Sequence, residues 1–97
     1  MQLPVITGSP TGLSTLSLIA DALDRGDVDT ALANTHISPD DTAVIRSLSA
    51  ADRSRFATFL RAATIESGDG EYQTLRSGGR QLFMHHSSSG NWFLISW

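Results

Sequence analysis

The sequence predicts an α+β domain, with an N-terminal helical half of three to four short helices packed on a C-terminal three-stranded antiparallel β-meander. Three observations carry this. Apolar residues recur with a period near 3.6 through the first two thirds of the chain. The period changes to 2 after the SGDG stretch at 67–70. A Gly78-Gly79 pair then separates two strand-like runs, and both positions tolerate the positive φ that a two-residue hairpin turn requires. At 97 residues the chain is a single domain. It divides into an N-terminal segment (1–12), a helical part (13–66) and a sheet (71–97).

LPVI (3–6) is a short apolar stretch with the length of an edge strand, broken by GSPTG (8–12). A helix is expected over about 13–25, because Leu16, Ile19, Ala20 and Leu23 fall at i, i+3, i+4 and i+7. Gly26 takes the C′ position that ends it. Asp27 caps a short second helix with Val28, Ala31 and Leu32 inward. Ser38-Pro39-Asp40-Asp41 is a third start, with a capping serine, proline in the first turn and acids at the positive helix end. Val44, Ile45 and Leu48 form the expected inner face. Ser49-Ala50-Ala51-Asp52 repeats the start signal for a fourth helix reaching about 65. Phe56, Phe59, Leu60 and Ala63 are its stripe, with Arg53, Arg55 and Arg61 largely outside it.

The strands are EYQTLRS (71–77), RQLFMHH (80–86) and WFLISW (92–97), with SSSGN (87–91) as a polar loop. The glycine turn sets Ser77 opposite Arg80, Leu75 opposite Leu82, Gln73 opposite Met84 and Glu71 opposite His86. A five-residue loop sets His86 opposite Trp92, Met84 opposite Leu94 and Phe83 opposite Ile95. One face then carries Leu75, Leu82, Met84, Trp92 and Leu94. The other carries Tyr72, Phe83, Phe93, Ile95 and Trp97. A sheet with one wet side should alternate apolar and polar residues. Here both faces are apolar, and four short helices suffice for only one. The second face, rimmed by Arg76 and Arg80, is the expected partner-binding surface.

Composition narrows the chemistry. The absence of cysteine removes disulfides, thiolate metal sites and cysteine nucleophiles. A net charge of −3 argues against a nucleic-acid partner and an anionic membrane surface. No apolar run is long enough to cross a bilayer, and the N-terminus lacks the basic region of a usual secretory signal. All seven basic residues are arginine, as expected of a GC-rich bacterial genome. That source suggests a cytoplasmic protein, or an effector exported without a usual secretory signal.

Several site patterns bear on the chemistry. His85 and His86 are adjacent on a strand, so their side chains diverge and cannot close on one metal ion. Glu71 and His86 could form an acid–base pair in a pocket closed by Trp92, which would make the chain a small enzyme or ligand-binding domain. Gly8 and Gly12 are one residue too close for a P-loop, and Leu13 stands in the lysine's place. No G-x-S-x-G nucleophile elbow occurs. Residues 31–48 with a following hairpin suggest a winged-helix-like DNA-binding regulator, but Asp40 and Asp41 would oppose phosphates at the recognition helix. The sequence therefore predicts no catalytic residues, metal or cofactor. It predicts a non-enzymatic protein-binding module, of adaptor, chaperone, immunity or effector type, that engages a protein partner or a second copy of itself as a homodimer. The contact would use the aromatic sheet face or a sheet edge.

Overall fold

A computed structural model describes residues 11–88 and 90–97. Each helix begins where a short polar side chain satisfies one of its first free N–H groups. Thr11 accepts from the Ser14 amide, Asp27 from Thr30, Ser38 from Asp41 and Ser49 from Asp52. The resulting helices are α1 (Gly12–Asp24), α2 (Val28–Ala33), α3 (Pro39–Ser47) and α4 (Ala50–Arg61). Past α1, Gly26 has a φ of 77°, a left-handed conformation that glycine adopts without a Cβ clash.

The sheet has four strands: β1 (Thr64–Gly68), β2 (Tyr72–Ser77), β3 (Arg80–His86) and β4 (Trp92–Ser96). They pair antiparallel in the order β1-β2-β3-β4. This corrects the expected three-stranded meander. The fourth helix does not reach residue 65; it ends at Arg61, and the chain turns back as a strand. Thr64 and Ile65 are β-branched and favour that conformation. SGDG thus ends β1 with Ser67 and Gly68 and opens the hairpin turn to β2 with Asp69 and Gly70. Asp69 Oδ1 fixes it by accepting from the amides of Glu71 (2.8 Å) and Tyr72 (2.9 Å). LPVI lies outside the described residues.

The β2–β3 register is the one the glycine turn dictates, with Ser77 opposite Arg80, Leu75 opposite Leu82 and Gln73 opposite Met84. The β3–β4 register agrees at His86–Trp92 and Met84–Leu94 and then shifts. Phe83 pairs with Ser96, not Ile95, because a β-bulge at this point inserts one extra residue into β4. Beyond a bulge the side-chain alternation is reset. Trp97 accordingly packs on the helical side, with its ring 5.1 Å from Phe56.

One core joins the helices to one face of the sheet. Leu16, Ile19 and Leu23 of α1, Ile45 of α3 and Leu60 of α4 are buried with Leu75, Leu82, Met84, Trp92 and Leu94. Each large apolar side chain so buried stabilises by roughly 1.5–3 kcal/mol relative to exposure. Val44, expected inward, points out and is 49% exposed. With only nine residues and one fully buried position, α3 turns a narrow stripe to the core. No helix among the described residues is long and apolar enough to cross a membrane.

The two sheet edges differ. Beyond β4, the segment after α2 adds a parallel bridge between Thr35 and Leu94. Leu94 donates to the Asn34 carbonyl, and the His36 amide donates to the Leu94 carbonyl at 2.8 Å. At the other edge every residue of β1 is exposed, and no described strand pairs with its outer side.

Candidate functional site

The Ser49 cap sets the phase of α4. It places Asp52, Arg55, Phe56 and Phe59 at i, i+3, i+4 and i+7, a single stripe along the helix. That stripe forms one wall of an open cleft of about 340 Å³. Leu48, just before the cap, extends this wall. The opposite wall comes from the sheet: Arg80 opens β3, and Trp97 follows β4.

Aromatic rings make the floor. Phe56 meets Phe59 edge-on (5.9 Å, 87°) and Trp97 nearly so (5.1 Å, 74°). These are the favoured geometries for ring quadrupoles. All three rings are half-buried, so each keeps a surface toward solvent. The Ser77 hydroxyl donates to the Phe59 carbonyl and ties the end of β2 to the last turn of α4. Both walls are thereby fixed to the same framework.

The polar groups lie around this floor. Arg55 Nη1 is 2.9 Å from Asp52 Oδ1 in a surface ion pair. Arg80 Nη2 donates to the Trp97 main-chain oxygen over a long 3.4 Å. The lining contains no nucleophile–base couple. The cleft is concave and mainly apolar, with a few polar groups around it.

The structure divides the residues expected to form one aromatic surface. Trp97 and Arg80 line the cleft on the helical side of the sheet. On the outer face Tyr72 (52% exposed) and Phe83 (39%) are open to solvent. Ile95 is half-buried at the bulge. Phe93, on the same face, is only 5% exposed because the His36 ring stacks on it. Arg76 pairs with Glu66, which also accepts from Gln81, at the β1 side. The Arg76 guanidinium, and after it the Gln81 amide, holds the Glu66 carboxyl below its ordinary value.

The histidines separate as a strand requires. His85 lies by Tyr72 (ring centroids 5.1 Å) and His86 by Trp92 (5.0 Å). Glu71 and His86 are joined through the main chain, where the His86 amide donates to the Glu71 carbonyl at 2.7 Å. Among the described residues no ion pair links their side chains. Nor does any group of three or more potential metal ligands form there. Within residues 31–48, the stretch with a helix-turn-helix-like pattern, α3 opens with Asp40 and Asp41 in its first turn.

Sequence reasoning missed half of the cleft. Phe56 and Phe59 read as core stripe, and Arg55 as solvated surface. The available signal was an acid and an arginine in phase with the two phenylalanines at helical spacing. Trp97 could not be placed with them, because the bulge that turns it leaves no composition mark.

No protein-family model, curated protein or solved structure matches this chain.

Proposed function

We propose that the domain is a non-enzymatic protein-binding module whose anchor socket is the cleft between α4 and the β3–β4 end of the sheet. The observation that carries this reading is the half-exposed floor of Phe56, Phe59 and Trp97, flanked by Arg55 and Arg80. Aromatic residues and arginine dominate the binding energy of protein interfaces, above all in concave, desolvatable settings. An isolated monomer leaves such surface wet at a cost that a partner side chain would remove. The open edge of β1 adds contact area beyond the cleft.

The test is a display screen of random peptides against the purified domain. Binders should lose affinity by at least about tenfold on Phe56→Ala, the loss of a hot-spot aromatic, and keep it on Phe83→Ala. Circular dichroism checks that both variants fold. Binders indifferent to Phe56→Ala, or a screen that returns none, would remove the cleft from consideration.

A further inference from the structure

We infer that the outer face of the sheet is a self-association surface, on which a second copy of this chain packs about a two-fold axis. This face lies across the sheet from the cleft, and the inference does not depend on the cleft.

Strand alternation and pairing set what the face displays. Along β2 it carries Tyr72, Thr74 and Arg76. Along β3, opposite these in turn, it carries His85, Phe83 and Gln81. The helices pack on the other side, which leaves Tyr72 52% and Phe83 39% exposed on the two central strands. Exposed aromatics grouped in this way mark an interaction surface.

Charge selects the occupant. The four strands contain three charged side chains, Glu66, Arg76 and Arg80. Arg80 lines the cleft, and Arg76 pairs with Glu66 on the outer face. The excess negative charge of the domain therefore lies on the helices and turns. Two copies meeting through their helices would repel each other, and through the outer face they would not.

The pattern on β2 is also complementary to itself. Tyr72 and Arg76 stand two residues to either side of Thr74. A two-fold axis running across the strands, above the Thr74–Phe83 pair, lays β2 antiparallel over the same strand of the second copy. Each Tyr72 ring then meets the other copy's Arg76, and the two Phe83 rings meet near the axis. Glu66 holds Arg76 by its Nε edge, so the flat guanidinium face remains for the ring. A two-fold interface requires this reciprocity. Four strands of about five residues present roughly 300–400 Å² in projection. That is the low end for specific interfaces, so the pair is weak and reversible.

Sedimentation velocity of the full chain from about 10 µM to 1 mM tests this. Wild type should pass from monomer to dimer as concentration rises. Below about 10 µM the domain is a monomer, so dilute unfolding measurements read each Phe83 alone. Phe83→Ala should weaken the dimer at least about tenfold, the loss expected of a central aromatic. Tyr72→Arg sets arginine against arginine and should weaken it by about as much. An equimolar mixture of Tyr72→Arg and Arg76→Tyr should pair more tightly than either variant alone, because the mixed dimer restores both Tyr–Arg contacts. Phe56→Ala, in the cleft, should leave association unchanged. Positions 72, 76 and 83 are exposed, and circular dichroism checks that the variants fold. A wild type that stays monomeric throughout overturns the inference and leaves the cleft untouched. Dimers that survive Phe83→Ala and Tyr72→Arg, or are lost on Phe56→Ala, place the contact elsewhere and overturn it as well. Weakening by both outer-face variants with no recovery in the mixture overturns the two-fold arrangement.

Discussion

The His36 imidazole lies flat on the Phe93 ring, with centroids 4.0 Å apart and planes 10° from parallel. The main chain holds it there, since the His36 amide donates to the carbonyl of Leu94, next to Phe93. A loop residue therefore shields an aromatic that the strand pattern leaves on the open face. His36→Ala is expected to destabilise the domain by about 1 kcal/mol, the typical worth of a stacked pair. His36→Phe should recover most of it. Urea denaturation checks both, and a midpoint unchanged in His36→Ala would show that the stack contributes nothing.

Leu82 and Phe83 are neighbours with opposite fates. Leu82 is fully buried toward the helices, whereas Phe83 is 39% exposed on the outer face. Leu82→Ala should cost about 2–5 kcal/mol through lost burial and the cavity left behind. Phe83→Ala should cost less than about 1 kcal/mol. Similar losses at both positions would mean that something covers the outer face.

Thr15 is fully buried on α1, and its hydroxyl lies 2.9 Å from the Trp92 carbonyl and 3.1 Å from that of Thr11. Thr15→Val keeps the shape but leaves the Trp92 carbonyl without this donor. The expected loss is about 1–3 kcal/mol. Thr58 makes the same backward bond to Ser54 on an exposed surface, so Thr58→Val should change stability by less than about 0.5 kcal/mol. Comparable losses from both variants would refute a special role for the α1–β4 bond.

Three carboxyls are held below their ordinary values. Asp27 is lowered first by the Thr30 hydroxyl, Asp69 by the amides of Glu71 and Tyr72, and Glu66 by Arg76. Each folded pKa lies below the unfolded one, so on acidification the unfolded chain takes up protons first. Their contribution is complete above the unfolded carboxylate values and is lost as pH falls through the folded ones. The urea midpoint should hold steady from about pH 7 to 5 and fall below about pH 4. Asp69→Asn should flatten part of that acid limb. A midpoint that stays level down to about pH 3 would contradict these assignments.

The open edge of β1 carries Ile65, 52% exposed, next to Glu66. A charge and a bulge between Ile65 and Ser67 are devices that deter strand-to-strand association. Glu66→Val removes the charge and frees Arg76 and Gln81. It should raise self-association, measured by sedimentation velocity, with little change at the opposite edge, where residues 34–36 already cover β4. A variant as dispersed as wild type would show that the charge is not what guards this edge.

The four helices were legible because their signals are local. Asp27, Ser38 and Ser49 cap the helices they were expected to cap, and Gly78-Gly79 fixes the β2–β3 register without help from the rest of the chain. The strand β1 was harder to see. Thr64-Ile65-Glu66-Ser67 is short, it follows directly on a helix, and only pairing with β2 makes it a strand. Half of the cleft was hidden for a related reason. Phe56 and Phe59 have the spacing of core residues, and nothing local tells a half-covered stripe from a buried one.

The sequence by itself determined the class of fold, the helix starts, the hairpin and the side of the sheet that would be buried, since caps, turns and alternation act over a few residues. The tertiary structure alone decided three things: which edge stays open, that His36 covers Phe93, and that a bulge carries Trp97 across to Phe56 and Arg80. These depend on contacts between segments far apart in the chain. Such contacts are settled by the shape of the packed core, which no short stretch of residues encodes.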